Sequence, residues 1–231
     1  MNTIGLLGGM SWESSALYYR LMNVMVKEKR GGLASASILM HSFDFSVLAG
    51  MLNDGRWDDI AELLRERARA LELAGAECMV IGTNTMHKVA DRVQDAIGVP
   101  LLHIADAAGR EIRRRGLSRV ALLGTKFTMQ EDFYHARLRD EFGVEVMVPE
   151  QKTRDYINEL IFNELCRGVF TTEAHGRFLA ILDELASGGA QAAVLGCTEI
   201  PLLIKPDDTG LALIDTTGLH ARMAVDFALG G

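Results

Sequence analysis

The sequence predicts an α/β protein made of two similar lobes, each built on a parallel sheet. Short apolar runs of strand length alternate with amphipathic stretches of helix length along the 231 residues, as in parallel strands connected by helices. The layout also occurs twice, because segments 4–8 (IGLLG) and 80–84 (VIGTN) are matched in the same order by 120–124 (VALLG) and 194–198 (VLGCT). Since no low-complexity linker separates the halves, we expect them to pack tightly with a cleft between them.

The elements of the first half are predicted from apolar periodicity and from the residues that bound each element. Apolar residues recur every three to four positions over 12–28, and Ser11 stands where a helix-opening residue belongs. A second helix over 57–74 is followed by Gly75, a residue type that commonly ends helices. A third helix is expected over 84–94. The apolar runs predicted as strands are residues 3–7, 36–40, 77–81 and 101–104.

The second half repeats this order of elements. Helices are expected over 106–115 and 198–204, and the sequence Thr128-Met129-Gln130-Glu131 predicts a capping box that opens a helix over 129–140. The predicted strands are residues 120–124, 144–148, 194–196 and 211–214. The expected lobes are residues 1–100 completed by 211–231, and residues 101–210.

Composition and charge exclude several functional classes. A formal net charge of −7 repels phosphate backbones, so we expect no nucleic-acid partner. No apolar run approaches the ~20 residues needed to cross a bilayer, and the first residues lack the basic region and cleavage site of a signal peptide. The three cysteines are an odd number without a CxxC pair, so neither a disulfide framework nor a zinc site is expected. These features predict a cytoplasmic protein with no membrane partner.

Chemistry is expected in the loops after the strands, because ligands of parallel α/β sheets bind at the carboxyl ends of the strands. Two such loops, Thr83-Asn84-Thr85 and Cys197-Thr198-Glu199, occupy equivalent places in the repeat, and each opens a predicted helix. Unpaired peptide N–H groups at a helix start hold a carboxylate or a phosphate and stabilise a thiolate. Cys197 is therefore a candidate base or nucleophile; the alternative is a small buried hydrophobic residue, the usual role of a cysteine.

Other candidate residues have structural interpretations. Cys78 lies within a predicted strand and Cys166 near a helix C-terminus, where the dipole disfavours a thiolate, so both are expected to be structural. His87 stands on the helix behind the first loop, where it either bonds to a neighbour or serves the site. The glycine-rich segment 5–10 matches neither the GxGxxG fingerprint nor a P-loop, so a nucleotide site has little support.

Together these motifs resemble those of the aspartate/glutamate racemase family. The resemblance rests on 83–87 (TNTMH) and 195–200 (LGCTEI), is supported by 8–14 (GGMSWES) and 123–125 (LGT), and extends over nearly the whole chain. It implies two Rossmann-like lobes related by a pseudo-two-fold axis, with the active site in the cleft between them. It also implies racemisation without pyridoxal phosphate or a metal ion, and a homodimer.

The resemblance assigns roles to particular residues, and one of them departs from the family's pattern. Family members use two cysteines, one removing the α-proton as a thiolate while the other delivers a proton to the opposite face. The second cysteine falls on Cys197 and the first on Thr83, whose hydroxyl can donate a proton but is a poor base. Substrate contacts are implied for Met10, Leu52, Thr83, Asn84, Thr85, Thr198 and Glu199.

The expected function is cofactor-independent racemisation of an amino acid, with aspartate or glutamate as the first candidates. The distal carboxylate lacks a clear partner: Leu48 and Leu52 stand where relatives often place a polar side chain, and Lys126 is a candidate only by its position. A single working cysteine leaves open a decarboxylase or a maleate-type isomerase of the same superfamily. A third alternative is a non-catalytic protein that binds a small carboxylate.

Overall fold

A four-stranded parallel sheet forms the centre of each half of the chain in this computed structural model, which describes residues 1–231. The strands are β1 (Ile4–Gly8), β2 (Ile38–Ser42), β3 (Cys78–Ile81), β4 (Leu101–Leu102), β5 (Arg119–Gly124), β6 (Glu145–Met147), β7 (Ala192–Gly196) and β8 (Ala212–Asp215). Their order in the two sheets is β2-β1-β3-β4 and β6-β5-β7-β8. The predicted α/β class with two similar parallel sheets is confirmed, and the matching strand order accounts for the sequence repeat.

Helices connect the strands, and most of them are longer than two turns. They are α1 (Trp12–Arg30), α2 (Phe45–Asn53), α3 (Trp57–Leu73), α4 (Ala90–Gln94), α5 (Ile104–Arg114), α6 (Lys126–Gln130), α7 (Asp132–Phe142), α8 (Gln151–Asn163), α9 (Thr172–Ser187), α10 (Ile200–Leu203) and α11 (Thr216–Leu229). Short 3-10 turns occur at Thr85–Val89, Leu165–Arg167 and Pro206–Asp208. None of the helices has both the length and the apolar character that a membrane span requires.

The chain divides into two units whose limits follow the pairing of the strands. The first unit contains residues 1–104 and 217–231, and the second contains residues 105–216. Relative to the limits expected from sequence at residues 100 and 210, both observed limits lie a few residues later along the chain. The reason is that β4 pairs with β3 in the first sheet, whereas β8 pairs with β7 in the second.

Each unit has its own apolar core against one face of its sheet. In the first unit, α1 and α11 both pack on the strands, where Tyr18 and Val225 join Leu6 and Val80 in one buried cluster. The second unit buries Phe178 of α9 in a cluster with residues of β5, β7 and α8, such as Leu123, Leu195 and Ile157. Burial of apolar side chains between the helices and the sheet is the main force that stabilises such α/β layers.

The predicted capping box is wrong, because the helix in this region begins earlier and is interrupted. Thr125, not Thr128, precedes the first helical residue, and its hydroxyl accepts a hydrogen bond from the Thr128 N–H (3.5 Å). Thr128 itself is fully buried inside α6. Glu131 then adopts an extended backbone (ψ 150°) that separates α6 from α7. The predicted helix 129–140 is therefore the end of one helix and most of a second.

Most other predicted elements are shifted by one or two residues, and three differ in type or length. The helix expected over 84–94 is a 3-10 turn followed by α4, and the helix expected over 198–204 is reduced to the four residues of α10. The strand expected over 101–104 ends at Leu102, because Ile104 already begins α5. Apolar periodicity locates these segments but does not distinguish a tight turn from a helix when the segment is this short.

A close passage of the backbone follows β1 and positions the loop that carries Met10. Gly9 has a positive φ of 82°, and a Cβ at this position would lie 2.3 Å from both the backbone N and the backbone O of Phe43. Only glycine fits there, since any side chain would overlap with the loop after β2. The Gly9 N–H also donates to the hydroxyl of Ser15 on α1 (2.6 Å), which fixes the turn into the first helix.

Candidate active site

The two loops predicted to carry chemistry lie at the carboxyl ends of equivalent strands. Thr83 follows Ile81, the last residue of β3, after Gly82, and Cys197 directly follows Gly196, the last residue of β7. These two strands hold the same place in the order of their respective sheets. The correspondence between Thr83 and Cys197 that the sequence repeat predicts thus also holds in the strand topology.

Backbone hydrogen bonds anchor the first loop to the neighbouring strand. The Gly82 N–H donates to the Leu7 carbonyl of β1, and the Thr83 N–H donates to the Ile81 carbonyl, both at 2.9 Å. Asn84 and Thr85 are buried, whereas Thr83 is half-buried. Thr83 consequently has the most accessible side chain of the predicted triplet.

His87 is hydrogen-bonded at both ring nitrogens directly behind this loop. Its Nδ1 lies 2.8 Å from the carbonyl oxygen of Thr83, and its Nε2 lies 3.2 Å from the backbone nitrogen of Ile104. The side chain is almost completely buried. Of the two roles left open by the sequence, the structure shows a histidine bonded to its neighbours, one of which is the backbone of Thr83.

In the second unit, Cys197 and Glu199 form a buried pair. The Cys197 thiol donates a hydrogen bond to Oε2 of Glu199 (2.9 Å), and the Thr198 hydroxyl donates to the same oxygen (2.7 Å). All three side chains are buried, with at most 8% of their surface exposed. Oε2 of Glu199 thus accepts two hydrogen bonds in an environment that is largely shielded from solvent, where hydrogen bonds to a charged group are strong.

The electrostatic environment of Cys197 favours the thiol over the thiolate. Burial raises the pKa of Cys197 well above its ordinary value, and the negative charge of Glu199 raises it further. The backbone N–H of Glu199 opposes this rise but does not outweigh it. The expected stabilisation of a thiolate by a helix start is therefore wrong for this state of the protein. The helix that should supply it, α10, has only four residues and begins at Ile200, and the helix dipole acts only over the first turn.

The other two cysteines lie in apolar surroundings. Cys78 is fully buried in β3, and burial raises its pKa to about 12, so its thiol is unreactive near neutral pH. Cys166 is half-buried in a 3-10 turn and packs against the apolar core of the second unit. Both positions match the structural roles predicted from sequence.

The remaining predicted contact residues are buried, whereas Lys126, the candidate cation, is exposed. Met10, in the turn after β1, is 4% exposed, and Leu52, on α2, is 6% exposed. Leu48 is fully buried on the same helix, so at least this leucine serves the core of the first unit. Lys126 is exposed after the end of β5, with its Nζ 5.1 Å from the ring centroid of Phe127.

Sequence reasoning missed two residues that lie behind the Thr83 loop. The Tyr18 hydroxyl is 2.8 Å from Nδ1 of His220, and Nε2 of His220 is 2.6 Å from the Leu102 carbonyl oxygen. The rings of His87 and His220 lie 5.5 Å apart. No spacing signal identifies this group, because Tyr18 and His220 are separated by 202 positions along the chain.

Comparison with known proteins finds relatives that match nearly the whole chain. The sequence model of the Asp/Glu/Hydantoin racemase family matches residues 7–224. A crystal structure of a candidate Asp/Glu racemase from Yersinia pestis has 43% sequence identity and a TM-score of 0.94, covering 99% of this chain and 100% of that one. An aspartate racemase homologue from Pyrococcus horikoshii has 34% identity and a TM-score of 0.85, with coverage of 99% and 100%. The broad specificity amino-acid racemase RacX of Bacillus subtilis is 23% identical over 168 residues, which are 73% of this chain and 72% of RacX.

Proposed function

The chain belongs to the Asp/Glu/Hydantoin racemase family, and from this premise we propose that it interconverts the enantiomers of an amino acid, aspartate or glutamate foremost, through Cys197 and Thr83. The family implies a reaction without pyridoxal phosphate. The observation that carries the proposal is the hydrogen bond from the Cys197 thiol to the Glu199 carboxylate (2.9 Å), in the loop equivalent to that of Thr83. A thiol bonded to a carboxylate can pass its proton to that group and become a base.

In one direction of the proposed reaction, Cys197 is the base. Its proton moves to the Glu199 carboxylate, and the thiolate then removes the α-proton, which leaves the electron pair on the substrate carbon. The Thr83 hydroxyl donates its proton to the opposite face of that carbon. The proton held by Glu199 returns through solvent to the Thr83 alkoxide, so the enzyme regains its starting state. The reverse reaction follows the same steps backward.

Threonine in place of a second cysteine limits the rate of this reaction without changing its end point. A hydroxyl is a much weaker acid than a thiol, so the Thr83 alkoxide is scarce near neutral pH. Enantiomers have equal free energies in water, and the equilibrium constant between them is one. The values of kcat/KM for the two enantiomers must therefore be equal, although an initial-rate assay can appear one-sided when kcat and KM differ.

Substrate binding is assigned to polar groups of the two loops. Backbone N–H groups and the hydroxyls of Thr85 and Thr198, with the Asn84 amide, provide donors for the carboxylates of an amino acid. Met10 and Leu52 are proposed as apolar contacts of the bound substrate. Lys126 is the proposed cation for a distal carboxylate. Without a buried cation dedicated to that group, we expect a substrate range wider than aspartate and glutamate.

Hydrogen–deuterium exchange at the α-carbon tests the proposal directly. Each enantiomer of aspartate, glutamate and a panel of neutral amino acids is incubated with the protein in D₂O, and α-deuteration is followed by NMR. We expect deuterium in both the remaining substrate and the product enantiomer. A folded sample that exchanges none of these amino acids would overturn the proposed function.

Two substitutions separate the roles of the proposed acid and base. Cys197→Ala should abolish exchange, because no other thiol is assigned to the site. Thr83→Cys should accelerate racemisation of both enantiomers, since a thiol is the better acid and the better base. Cys166→Ala, which removes the other thiol of the same unit, is the control: exchange should persist, with only a shift in its pH dependence, because the charge of Cys166 contributes to the raised pKa of Cys197.

The single thiol at the proposed site also supports a second candidate reaction. A lone cysteine suffices to protonate the enolate left by decarboxylation of a disubstituted malonate, or to add to maleate and return fumarate. Release of CO₂ from a malonate or formation of fumarate, without α-exchange of any amino acid, would favour this alternative. Tight binding of one amino acid without any chemistry would instead indicate a carboxylate-binding protein.

A further inference from the structure

We propose that His87 is a positioning residue for Thr83, and that His220 and Tyr18 hold His87 in place from behind. This inference rests on the proposed function of Thr83 as the proton donor. The juxtaposition that supports it is a continuous group of buried polar side chains within the first unit. The group extends from α1 through α11 to the loop after β3.

Hydrogen bonds determine which nitrogen of His87 carries the proton. The partner of Nε2 is the backbone nitrogen of Ile104 at 3.2 Å, and a peptide nitrogen can only donate. Nε2 therefore accepts and carries no hydrogen, which makes His87 a neutral imidazole protonated at Nδ1. The Nδ1–H then donates to the Thr83 carbonyl oxygen at 2.8 Å. A ring flip or the other tautomer would break both bonds at once.

His220 requires the opposite tautomer. Its Nε2 lies 2.6 Å from the carbonyl oxygen of Leu102, which can only accept, so this nitrogen carries the proton. In the neutral ring, Nδ1 then accepts from the Tyr18 hydroxyl, which lies 2.8 Å away. Both side chains are completely buried, and the His220 ring contacts the His87 ring edge to face at a centroid distance of 5.5 Å. The rings of His103 and His87 also contact each other edge to face, at a centroid distance of 4.5 Å.

This group compensates for weak local structure around Thr83. The residues that follow Thr83 form a five-residue 3-10 turn and the five-residue α4, and elements this short have little stability of their own. The Thr83 carbonyl is instead tied through His87 to Ile104 at the start of α5, and the His87 ring packs on His220 of α11. Catalytic groups must be held within about 0.5 Å of the productive geometry. We infer that the C-terminal helix provides this precision for the proposed proton donor.

Paired substitutions distinguish positioning from a general loss of stability. In His87→Leu both hydrogen bonds are lost, whereas in His87→Asn the side-chain amide can replace the Nδ1 donor to Thr83. We expect His87→Leu to lower kcat by at least about ten-fold with little change in KM, and His87→Asn to recover a substantial part of that loss. His220→Gln can still donate to the Leu102 carbonyl, so its kcat should be higher than that of His220→Leu. His175→Gln, at a histidine of the second unit that pairs with Asp208, is the matched control and should keep wild-type rates.

A spectroscopic measurement tests the same inference without catalysis. Imidazole ¹⁵N shifts should show an Nδ1–H tautomer for His87 and an Nε2–H tautomer for His220, and the Thr83 carbonyl ¹³C shift should change in His87→Leu. Wild-type kcat in His87→Leu, equal losses in the Asn and Leu variants, or the reversed tautomers would overturn the inference. If the wild-type protein exchanges no amino acid, the proposed function fails, but the tautomers and the Thr83 carbonyl shift still decide whether His87 holds this loop. If His87→Leu does not fold, the tautomers of the wild-type protein and the kcat of His87→Asn still test whether His87 positions Thr83.

Discussion

At the scale of single residues, the state of the Cys197 thiol depends on its immediate neighbour Glu199. Burial alone would keep the thiol protonated, and the carboxylate 2.9 Å away raises its pKa further while offering the proton an acceptor. The two effects have opposite consequences for catalysis. The charge of Glu199 makes the thiolate rarer in the ligand-free protein, whereas in the proposed reaction the Glu199 carboxylate accepts the thiol proton.

Replacing Glu199 by glutamine separates these two effects. The amide keeps a similar shape and can still accept the thiol hydrogen, but it carries no charge, so the pKa of Cys197 should fall. The alkylation rate of Cys197 by iodoacetamide, measured against pH by mass spectrometry, should rise at lower pH than in the wild type and be several-fold faster at pH 8. Exchange of the substrate α-proton should nevertheless slow down, because the proton acceptor is weaker.

The alkylation experiment has two controls, an unreactive cysteine of the same chain and a separate variant. Cys78, whose pKa burial raises to about 12, should stay unmodified in both proteins as long as the chain is folded. Glu159→Gln, at an exposed site on α8, should leave the Cys197 profile unchanged. An unchanged or upward-shifted profile in Glu199→Gln would contradict the electrostatic role assigned to Glu199.

Sequence alone located the two candidate loops but not the protonation state of the cysteine that one of them carries. Thr83 and Cys197 were predictable because an apolar strand that ends in glycine marks the carboxyl edge of a parallel sheet twice along the chain. The direction of the Cys197 pKa was not predictable, because it depends on burial and on the side-chain direction of Glu199. In the first unit, His220 and Tyr18 form a contact spanning 202 positions, which no local pattern encodes.

At the scale of elements, the C-terminus of α5 carries a compact ion-pair group. Arg114 and Arg115 lie three and four residues after Glu111 and contact its two carboxylate oxygens at 2.7 and 2.6 Å. The hydrogen bond from Arg114 is the largest cause that lowers the pKa of Glu111 to about 2. The arginines also lie where the helix dipole favours positive charge. These ion pairs therefore stabilise the C-terminal turn of α5 relative to the unfolded chain.

Glu111→Gln should destabilise the protein in a pH-dependent way. Since the folded pKa lies below the ordinary value of 4.5, the ionised pair stabilises the fold above about pH 4.5. The benefit declines as pH falls towards the folded pKa of about 2. Because both arginines are exposed to solvent, we expect a loss of only about 0.5–1 kcal/mol in the free energy of unfolding at pH 7. Urea unfolding at pH 7 and pH 3.5 measures the difference, which should shrink at the lower pH.

A matched variant on another helix provides the control for this pair. Glu62→Gln removes a single exposed pair with Arg65 on α3 (2.8 Å) and should cost less than Glu111→Gln at pH 7. A loss in Glu111→Gln that is equal at both pH values would contradict an electrostatic origin.

Element boundaries show which local signals in the sequence are reliable. The long helix α1 begins after Ser11, whose hydroxyl accepts from the Ser14 N–H (3.3 Å), as its sequence predicts. The start of α6 differs from the sequence prediction, because two threonines in this segment, Thr125 and Thr128, are equally suitable as helix caps by type. Burial of Thr128 inside α6 decides between them, and burial is a property of the folded unit.

At the scale of the whole molecule, the order of the chain makes the first unit depend on its last helix. Residues 1–104 are completed only by residues 217–231, after the entire second unit has been traversed. Helix α11 contributes Ala221, Ala224, Val225 and Ala228 to the buried cluster that contains β1 and β3 residues. The backbone of Asn2 also donates to the Ala228 carbonyl (2.8 Å). The loop that carries Thr83 follows β3, so it depends on this late addition.

Val225→Asp therefore should destabilise the first unit selectively. A carboxylate at this fully buried position loses its hydration without a partner, and we expect the free energy of unfolding to fall by about 3 kcal/mol or more. Hydrogen exchange followed by mass spectrometry should show faster exchange in peptides from β1 and β3, while peptides from β5 and β7 keep their protection, because the second unit buries its own core. Racemase activity should fall with the loss of protection in β3.

Arg222→Asp, on the exposed side of the same helix, introduces the same charge without burial and should leave both sheets protected. Equal loss of protection in both sheets of Val225→Asp would show instead that the two units unfold as one cooperative body, and that α11 supports the whole chain and not only the unit that contains Thr83.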